Sequence, residues 1–183
     1  EGTVIKNKCK TCGGDGVVKG DEVVEINIPA GVQDGMVLTV AGKGNAGKRN
    51  GYPGDIQVLI SEESNDTFER DGQNLYYNLV LDFATATLGG EVDVPTIEGK
   101  TTVKIEPGTQ PGKQIRLRGK GLPAVKGYGY GKGDIICNVT VYVPKTLTKE
   151  EKELIKKLKD SENFKADNAT KKTLFDSLKN LFK

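Results

Sequence analysis

Two cysteines near the start of the chain have the spacing of a metal-binding pair. In Cys9-Lys-Thr-Cys12-Gly-Gly-Asp-Gly16, both thiolates can reach one tetrahedral ion. A structural zinc site needs four ligands, but the 183-residue chain has 3 cysteines and no histidine. Because Cys137 lies in an alternating apolar segment, we expect it to be a small core residue. Cys9 and Cys12 are therefore interpreted as half of a metal site. The alternative is a redox dithiol, although the βαβ pattern that accompanies one is missing.

The rest of the sequence contains no recognisable catalytic machinery. The lack of histidine excludes Ser-His-Asp triads, histidine-ligated zinc hydrolases and histidine general bases. The segment 42–48 is similar to a phosphate-binding loop, but turn residues rather than a helix follow it. Asp55 and Asp134 occur once in each half of the chain and are not the facing pair of a glycosidase. We therefore expect a protein that is not an enzyme.

The elements that must position these residues come in two copies. Residues 28–44 match residues 105–121, with identical Ile, Gly, Gln, Gly, Gly, Lys and Gly at matched positions. The likeness resumes after a loop, where Gly54-Asp55-Ile56 matches Gly133-Asp134-Ile135. A period of this length is too long for a solenoid repeat. The pattern predicts two copies of one domain in tandem, which we call the first and second repeats.

Apolar residues alternate with polar ones in both repeats, which predicts short strands with one buried face. The alternation covers Val24, Ile26 and Ile28 in the first repeat and Val103 and Ile105 in the second; it recurs at residues 56–60 and 135–141. Residues 75–83 are predicted to form a long strand that opens the second repeat. The first repeat lacks this opening strand, either because the chain is a fragment or because an insertion displaced the strand upstream. The predicted class is mainly β, with two tandem homologous β-sandwich-like domains.

The last part of the chain has the pattern of short helices. We place the first domain at 17–66, the second at 67–146 and a helical tail at 147–183. Thr148 and Glu151 form a capping box that begins the first tail helix. A second helix carries one apolar stripe, formed by Leu174, Phe175, Leu178, Leu181 and Phe182. The stripe packs either against the protein's own body or against a second copy. We favour a homodimer, since so short a terminal helix has little local core.

Charge and hydropathy narrow the possible partners. The net charge is +2, and the part of the chain before the tail is close to neutral, so no nucleic-acid partner is expected. No apolar run approaches the length of a membrane helix, and no segment has the pattern of a signal peptide. Three cysteines suit a reducing compartment. We expect a cytoplasmic protein with no membrane partner.

The motifs together resemble the C-terminal half of type I DnaJ co-chaperones. They are the Cys-x-x-Cys-x-Gly-x-Gly string, two β-domains with Gly-Lys-Gly turns, Leu88-Gly-Gly90 before Val92-x-Val94-Pro95, and the segment 111–121. The resemblance covers essentially the whole chain. It implies that residues 1–16 are the remnant of a cysteine-rich arm inserted into the first β-domain. In that family the first and fourth cysteine pairs share one zinc. Cys9 and Cys12 belong to the fourth pair, so zinc is a cofactor of the full-length family and none is expected in this chain.

The resemblance also implies a function. The family's J-domain activates the ATPase of a DnaK-type chaperone through a His-Pro-Asp motif, which a chain without histidine cannot contain. What remains is homodimerisation and the capture of unfolded client polypeptides by β-strand addition. The resemblance places Val24 and Val58 in an apolar peptide-binding pocket of the first domain, with Ile26 and Ile60 beside them. The alternative is that all four are ordinary core residues.

A second hypothesis comes from another functional class. A two-domain β-sandwich can bind a small ligand or a carbohydrate, and such a site usually presents aromatic side chains. The chain has no Trp, 6 Tyr and 5 Phe, without a grouping that suggests a cleft. A preference for extended apolar peptides over sugars distinguishes the two hypotheses.

Overall fold

A computed structural model of the protein describes residues 7–48, 51–165 and 172. The chain divides into two compact units, Glu1–Tyr142 and Val143–Lys183. The described part of the first unit contains β1 (Val37–Val40), β2 (Ile56–Leu59), β3 (Glu69–Asp71), β4 (Asn74–Asp82), α1 (Phe83–Leu88), β5 (Gly90–Thr96), β6 (Gly99–Ile105), β7 (Gln114–Leu117) and β8 (Ile135–Tyr142). The second unit contains α2 (Lys149–Lys159) and a short 3-10 helix (Glu162–Phe164). The predicted mainly β class is confirmed, and α2 is the first of the two predicted tail helices. The second predicted tail helix, apart from residue 172, lies outside the described residues. The predicted boundaries of the two β-domains stay predictions.

The second repeat is a two-layer sandwich. One layer is a four-stranded sheet in the order β3-β4-β8-β7, and the other pairs β5 with β6. Side chains of a strand point alternately to opposite faces, so Leu79 of β4 and Val139 of β8 share the inner face with Cys137. They pack into one cluster with Val94 and Ile105 of the other layer. Cys137 is fully buried, which confirms its predicted place in the core.

The turns of the two repeats are built by the same hydrogen bonds. The Gly42 N–H donates to Asp55 Oδ1 at 2.8 Å, and the Gly119 N–H donates to Asp134 Oδ1 at the same distance. Both glycines have a backbone φ of 68°, which residues with a side chain rarely adopt. The two aspartates therefore stabilise turns. The next described element after the segment 42–48 is the strand β2, not the helix that a phosphate-binding loop requires.

The first repeat contains an antiparallel pair, β1–β2, in which Leu38 lies opposite Val58. Among its described residues up to 66, none is buried. The physical reason lies on the other side of β2, along which the described residues place no strand. In the second repeat the equivalent strand, β8, pairs there in parallel with β4 over eight residues. Among the described residues the first repeat has neither this flanking strand nor a second layer like β5–β6, so its apolar side chains remain partly exposed.

The strand predicted around Val24 to Ile28 is wrong. The structure has no strand at residues 17–29. The equivalent segment of the second repeat, β6, forms a strand because it pairs with β5 along its whole length. The described residues of the first repeat contain no counterpart of β5. An alternating pattern needs a partner strand to become a strand.

Two short elements had no clear sequence signal. β3 has only three residues and a charged sequence, Glu-Arg-Asp, and forms because it pairs with β4. α1 has six residues and begins where the Asp82 carboxylate accepts a hydrogen bond from the Thr85 N–H at 2.8 Å. β3 therefore depends on its pairing with β4, and α1 begins at the Asp82 cap.

The tail helix begins as predicted. The Thr148 side chain accepts a hydrogen bond from the Glu151 N–H, and the Glu151 carboxylate accepts one from the Thr148 N–H, which confirms the capping box. Leu154, Ile155 and Leu158 of α2 are all exposed. Within the described residues, no helix has the length and apolar character needed to cross a membrane.

Arg70 of β3 joins the two repeats. Its guanidinium donates hydrogen bonds to the carbonyl oxygens of Gly31 and Val32, at 2.9 and 2.8 Å, and lies 3.2 Å from a Glu62 carboxylate oxygen. The Arg70 side chain is only 16% exposed. Gly31 also packs against the Pro123 carbonyl so closely that an added Cβ would lie 2.2 Å from its oxygen. One side chain therefore holds a turn of the first repeat against the sheet of the second.

We expect Arg70→Ala to lower the free energy of unfolding by about 2–3 kcal/mol, because it removes charge-assisted hydrogen bonds from two backbone carbonyls. Urea unfolding followed by circular dichroism measures this change. Arg118→Ala, at an exposed position, is the matched control. Equal stability of the two variants would show that Arg70 does not stabilise the contact between the repeats.

Candidate functional site

The cysteine pair lies in a tight turn. The Gly13 N–H donates to the Cys9 carbonyl at 2.9 Å, and the Asp15 N–H donates to the Cys12 carbonyl at 3.0 Å. Cys9 is exposed, Cys12 is partly buried, and neither is in a disulfide. Hydrogen bonds from the backbone N–H groups of Cys12 and Thr11 lower the pKa of the Cys9 thiol to about 7. The turn therefore favours the thiolate form that binds metal ions.

The donor set fits half of a tetrahedral zinc site. Two sulfur atoms from a Cys-x-x-Cys turn are ligands that zinc prefers. Within the described part of the chain, no group of three or more Cys, His, Asp or Glu residues comes together. Lys48 contacts Asp15, with 2.9 Å between Nζ and Oδ2, and so connects the cysteine turn to a loop of the first repeat. The pair is presented by a turn that the first repeat anchors.

The four predicted peptide-binding residues are all partly buried in the first repeat. Val58 lies on β2, and Ile60 directly after it exchanges backbone hydrogen bonds with the segment before β1. Val24 and Ile26 lie in the segment without a strand. Their role in peptide binding stays a prediction.

The second repeat shows how buried the matched positions become when a flanking strand and a second layer are present. Ile26, Val58 and Ile60 correspond to Val103, Cys137 and Val139, and those three residues are buried in the core. The internal comparison therefore supports the core alternative for the same positions. In the first repeat these side chains and that of Val24 remain partly exposed, and we call the four together the apolar surface of the first repeat.

A second apolar pair lies on the opposite face of the β1–β2 pair. Val37 and Leu59 are cross-strand neighbours and are 53% and 70% exposed. An antiparallel pair with one face in water usually carries polar residues there. Apolar residues on both faces make this part of the first repeat a surface suited to further contacts.

Backbone groups complete the candidate site. Both the N–H and the C=O of Ile60 are hydrogen-bonded toward the β1 side. Since these groups alternate along a strand, the N–H and C=O groups of Gln57 and Leu59 face the other side of β2. That side of β2 presents hydrogen-bonding groups next to the apolar side chains of Val58 and Ile60.

The predicted dimerisation residues, Leu174, Phe175, Leu178, Leu181 and Phe182, lie outside the described residues. Sequence reasoning missed Arg70, because no motif surrounds it. Its contact with the first repeat is seen only once β3 has placed its side chain. Sequence reasoning also missed a groove of the second repeat. Its signal was the difference in charge between matched positions of the two repeats.

Comparison with known proteins decides the family. Residues 3–144 match the family described as the DnaJ C terminal domain. The chain belongs to this family. The match confirms the resemblance to the C-terminal region of DnaJ that the motifs indicated.

Relatives of this DnaJ-family chain carry the name "Chaperone protein DnaJ". The one from Bacteroides fragilis is 56% identical over 176 residues, which are 96% of this chain and 44% of the relative. The one from Bacteroides thetaiotaomicron is 56% identical over 175 residues, again 96% of this chain and 44% of the relative. The one from Porphyromonas gingivalis is 45% identical over 171 residues, 93% of this chain and 44% of the relative. The chain spans a little under half the length of these curated relatives.

The rate of alkylation distinguishes the exposed Cys9 from the buried Cys137. Burial raises the pKa of the Cys137 thiol to about 11, so Cys137 in the native protein lacks both access and thiolate at pH 8. We expect iodoacetamide to modify Cys9 within minutes and Cys137 only after unfolding in urea. Mass spectrometry of tryptic peptides measures both. Modification of native Cys137 at the rate of Cys9 would contradict the packed core of the second repeat.

Proposed function

We propose that this chain is the client-binding part of a DnaJ-type chaperone, and that it holds extended apolar segments of unfolded polypeptides. The observation that carries the proposal is the apolar surface of the first repeat beside the side of β2 along which the described residues place no strand, which we call its open side. Membership of the DnaJ C-terminal domain family supports it, as do relatives named as chaperones. No observation favours the carbohydrate-binding alternative.

The second repeat supports the capture of a strand at this place. There the equivalent side of β8 holds β4 over eight residues, from Leu75 opposite Ile135 to Asp82 opposite Tyr142. The corresponding side of β2 offers the backbone groups of Gln57 and Leu59. Hydrogen bonds between main chains give affinity with little demand on sequence. Strand addition therefore suits a protein that must accept many different unfolded chains.

The apolar side chains add a preference for the kind of segment. The four side chains of this surface are partly buried, and covering them with a client side chain removes more apolar surface from water, which favours binding. They are Val24, Ile26, Val58 and Ile60. Burying an apolar side chain fully contributes about 1.5–3 kcal/mol, and completing a half-buried one contributes correspondingly less. Extended segments with apolar residues at alternate positions are the expected clients.

The remaining parts of the proposal concern the longer protein. Cys9 and Cys12 supply half of a zinc site, and a second pair of ligands comes from elsewhere in the full-length polypeptide. The bound zinc supplies a structural cross-link and no catalytic chemistry. The full-length protein acts in the cytoplasm with a DnaK-type chaperone, which its J-domain stimulates. This chain contributes client binding and homodimerisation, without enzymatic activity.

Alternate N-methylation of a peptide tests strand addition. The probe is a fluorescein-labelled peptide of eight residues with apolar side chains at alternate positions. Two versions carry N-methyl groups on the odd or the even residues. Since only one set of N–H groups faces β2, we expect one version to bind about tenfold more weakly and the other to bind like the parent. Fluorescence anisotropy measures all three affinities. Equal affinities would exclude main-chain pairing.

A substitution in the protein locates the binding surface. Val58→Thr keeps the shape and the strand preference but adds a polar group. We expect it to weaken binding of the unmethylated peptide about threefold to tenfold. The control is Val80→Thr at an exposed position of the second repeat. If Val80→Thr weakens binding as much as Val58→Thr does, the client does not lie on the first repeat.

Light scattering tests the dimer. We expect the full chain to have the mass of a dimer and a chain that ends at Ala169 to have the mass of a monomer, because truncation removes the apolar stripe of the tail. A monomer in both cases would overturn the dimer proposal. A dimer in both cases would assign self-association to another surface, with the open side of β2 as the first place to examine.

A further inference from the structure

The second repeat contains a groove that the proposed client site does not use. Its volume is about 690 Å³. Residues at the end of β6 line one side, and residues of β7 and the turn before it line the other. The lining side chains that matter for its chemistry are Lys104, Glu106, Lys113, Gln114, Ile115 and Arg116.

Backbone groups face this groove from β7. The strand is the last one of the four-stranded sheet, and the described residues place no further strand beyond it. Ile115 pairs with Cys137, and Val139 exchanges hydrogen bonds with the turn just before β7. Because backbone groups alternate along a strand, the N–H and C=O groups of Gln114 and Arg116 face away from β8. A segment of about four residues therefore finds a strand edge to pair with.

The groove is positively charged. Three of its side chains are cationic, and one, Glu106, is a carboxylate. Lys113 Nζ lies 2.6 Å from Glu106 Oε2. Arg116 is 61% exposed, with its Nε 3.6 Å from Asp134 Oδ2, so most of its guanidinium stays accessible. Even with the Asp134 carboxylate counted, three cations face two carboxylates, so the groove keeps a cationic excess.

The shared fold of the two repeats does not require these cations. Lys104, Lys113 and Arg116 correspond to Asn27, Met36 and Thr39 in the first repeat. The strands β1 and β7 nevertheless form at matched positions and pair with their neighbours in the same way. The charges are therefore a property of the second repeat alone, and they call for a role other than folding.

We propose that this groove binds an extended acidic segment of a partner polypeptide, which adds to the open edge of β7. Its carboxylates face Lys104 and Arg116, and an arginine can hold a carboxylate through two parallel hydrogen bonds. Charge complementarity gives specificity and speeds association more than it adds affinity. The second repeat thus selects by charge, whereas the first repeat selects by apolar character.

Binding of defined peptides tests this site on the full chain. The probes are a fluorescein-labelled eight-residue peptide with Glu at alternate positions and its counterpart with Gln in place of Glu. We expect the acidic peptide to bind at least about tenfold more tightly, and its affinity to fall steeply between low and high salt. Equal binding of the two peptides would overturn the proposal. Tighter binding of a single-stranded oligonucleotide of similar charge would overturn it as well.

Paired substitutions place the peptide in the groove. We expect Lys104→Gln combined with Arg116→Gln to weaken the acidic peptide about tenfold or more, and Glu106→Gln to strengthen it, because that variant removes the carboxylate of the groove. The control combines Lys100→Gln with Arg118→Gln, which makes the same change of charge at exposed positions outside the groove. Equal loss in both double variants would show that only the overall charge matters.

A further measurement keeps this proposal separate from the client site. The Lys104 and Arg116 double variant should unfold at the same urea concentration as the parent and bind the apolar peptide unchanged. Loss of the acidic peptide alone supports the groove. Loss of both peptides at full stability would overturn a separate acidic site, because one surface would then bind both ligands. Absence of binding by the acidic peptide would overturn the groove proposal and leave client capture by the first repeat unaffected.

Discussion

The parallel pairing of β4 with β8 is the interaction on which the rest of the structure depends. It brings together the two longest strands of the described residues, and it sets Leu79 and Val139 side by side under the second layer. Burial of such side chains is the main favourable contribution to folding. The short strands β3 and β7 extend this pair on its two sides. β3 in turn carries Arg70, so the contact with the first repeat also depends on the pairing.

The two repeats show how much of a domain local turn chemistry can build and how much needs a covering strand. Matched glycines in their turns have similar positive φ angles, and their aspartates accept equivalent hydrogen bonds. The burial of their side chains nevertheless differs. Val58 and Cys137 occupy matched positions, but only Cys137 is fully buried. Local turns thus determine the path of the chain, while core formation requires two layers. Among the described residues the first repeat has no second layer and no strand beside β2. This leaves its apolar side chains partly exposed and also makes the repeat suitable for capturing a strand.

The proposed sites use one physical principle in two chemical forms. Both rest on a strand edge whose backbone groups have no strand beside them among the described residues. Around β2 the neighbouring side chains are apolar, and around β7 they are cationic. A chain with both can hold an apolar segment and an acidic segment at once. The tandem repeat therefore provides two related scaffolds whose side chains give them different selectivity.

The sequence by itself determined the repeat, the mainly β class, the capping box at Thr148 and the buried state of Cys137, because periodicity, turn residues and caps act over a few neighbouring residues. The Cys-x-x-Cys string and the glycine turns also indicate the family by themselves. Tertiary structure alone decided that residues 24–28 form no strand, that β4 and β8 run parallel, and that Arg70 reaches the carbonyls of Gly31 and Val32. It also decided which charges line the groove of the second repeat. These features depend on partners far away in the chain, and no local pattern specifies which distant segment a strand edge or a side chain will meet.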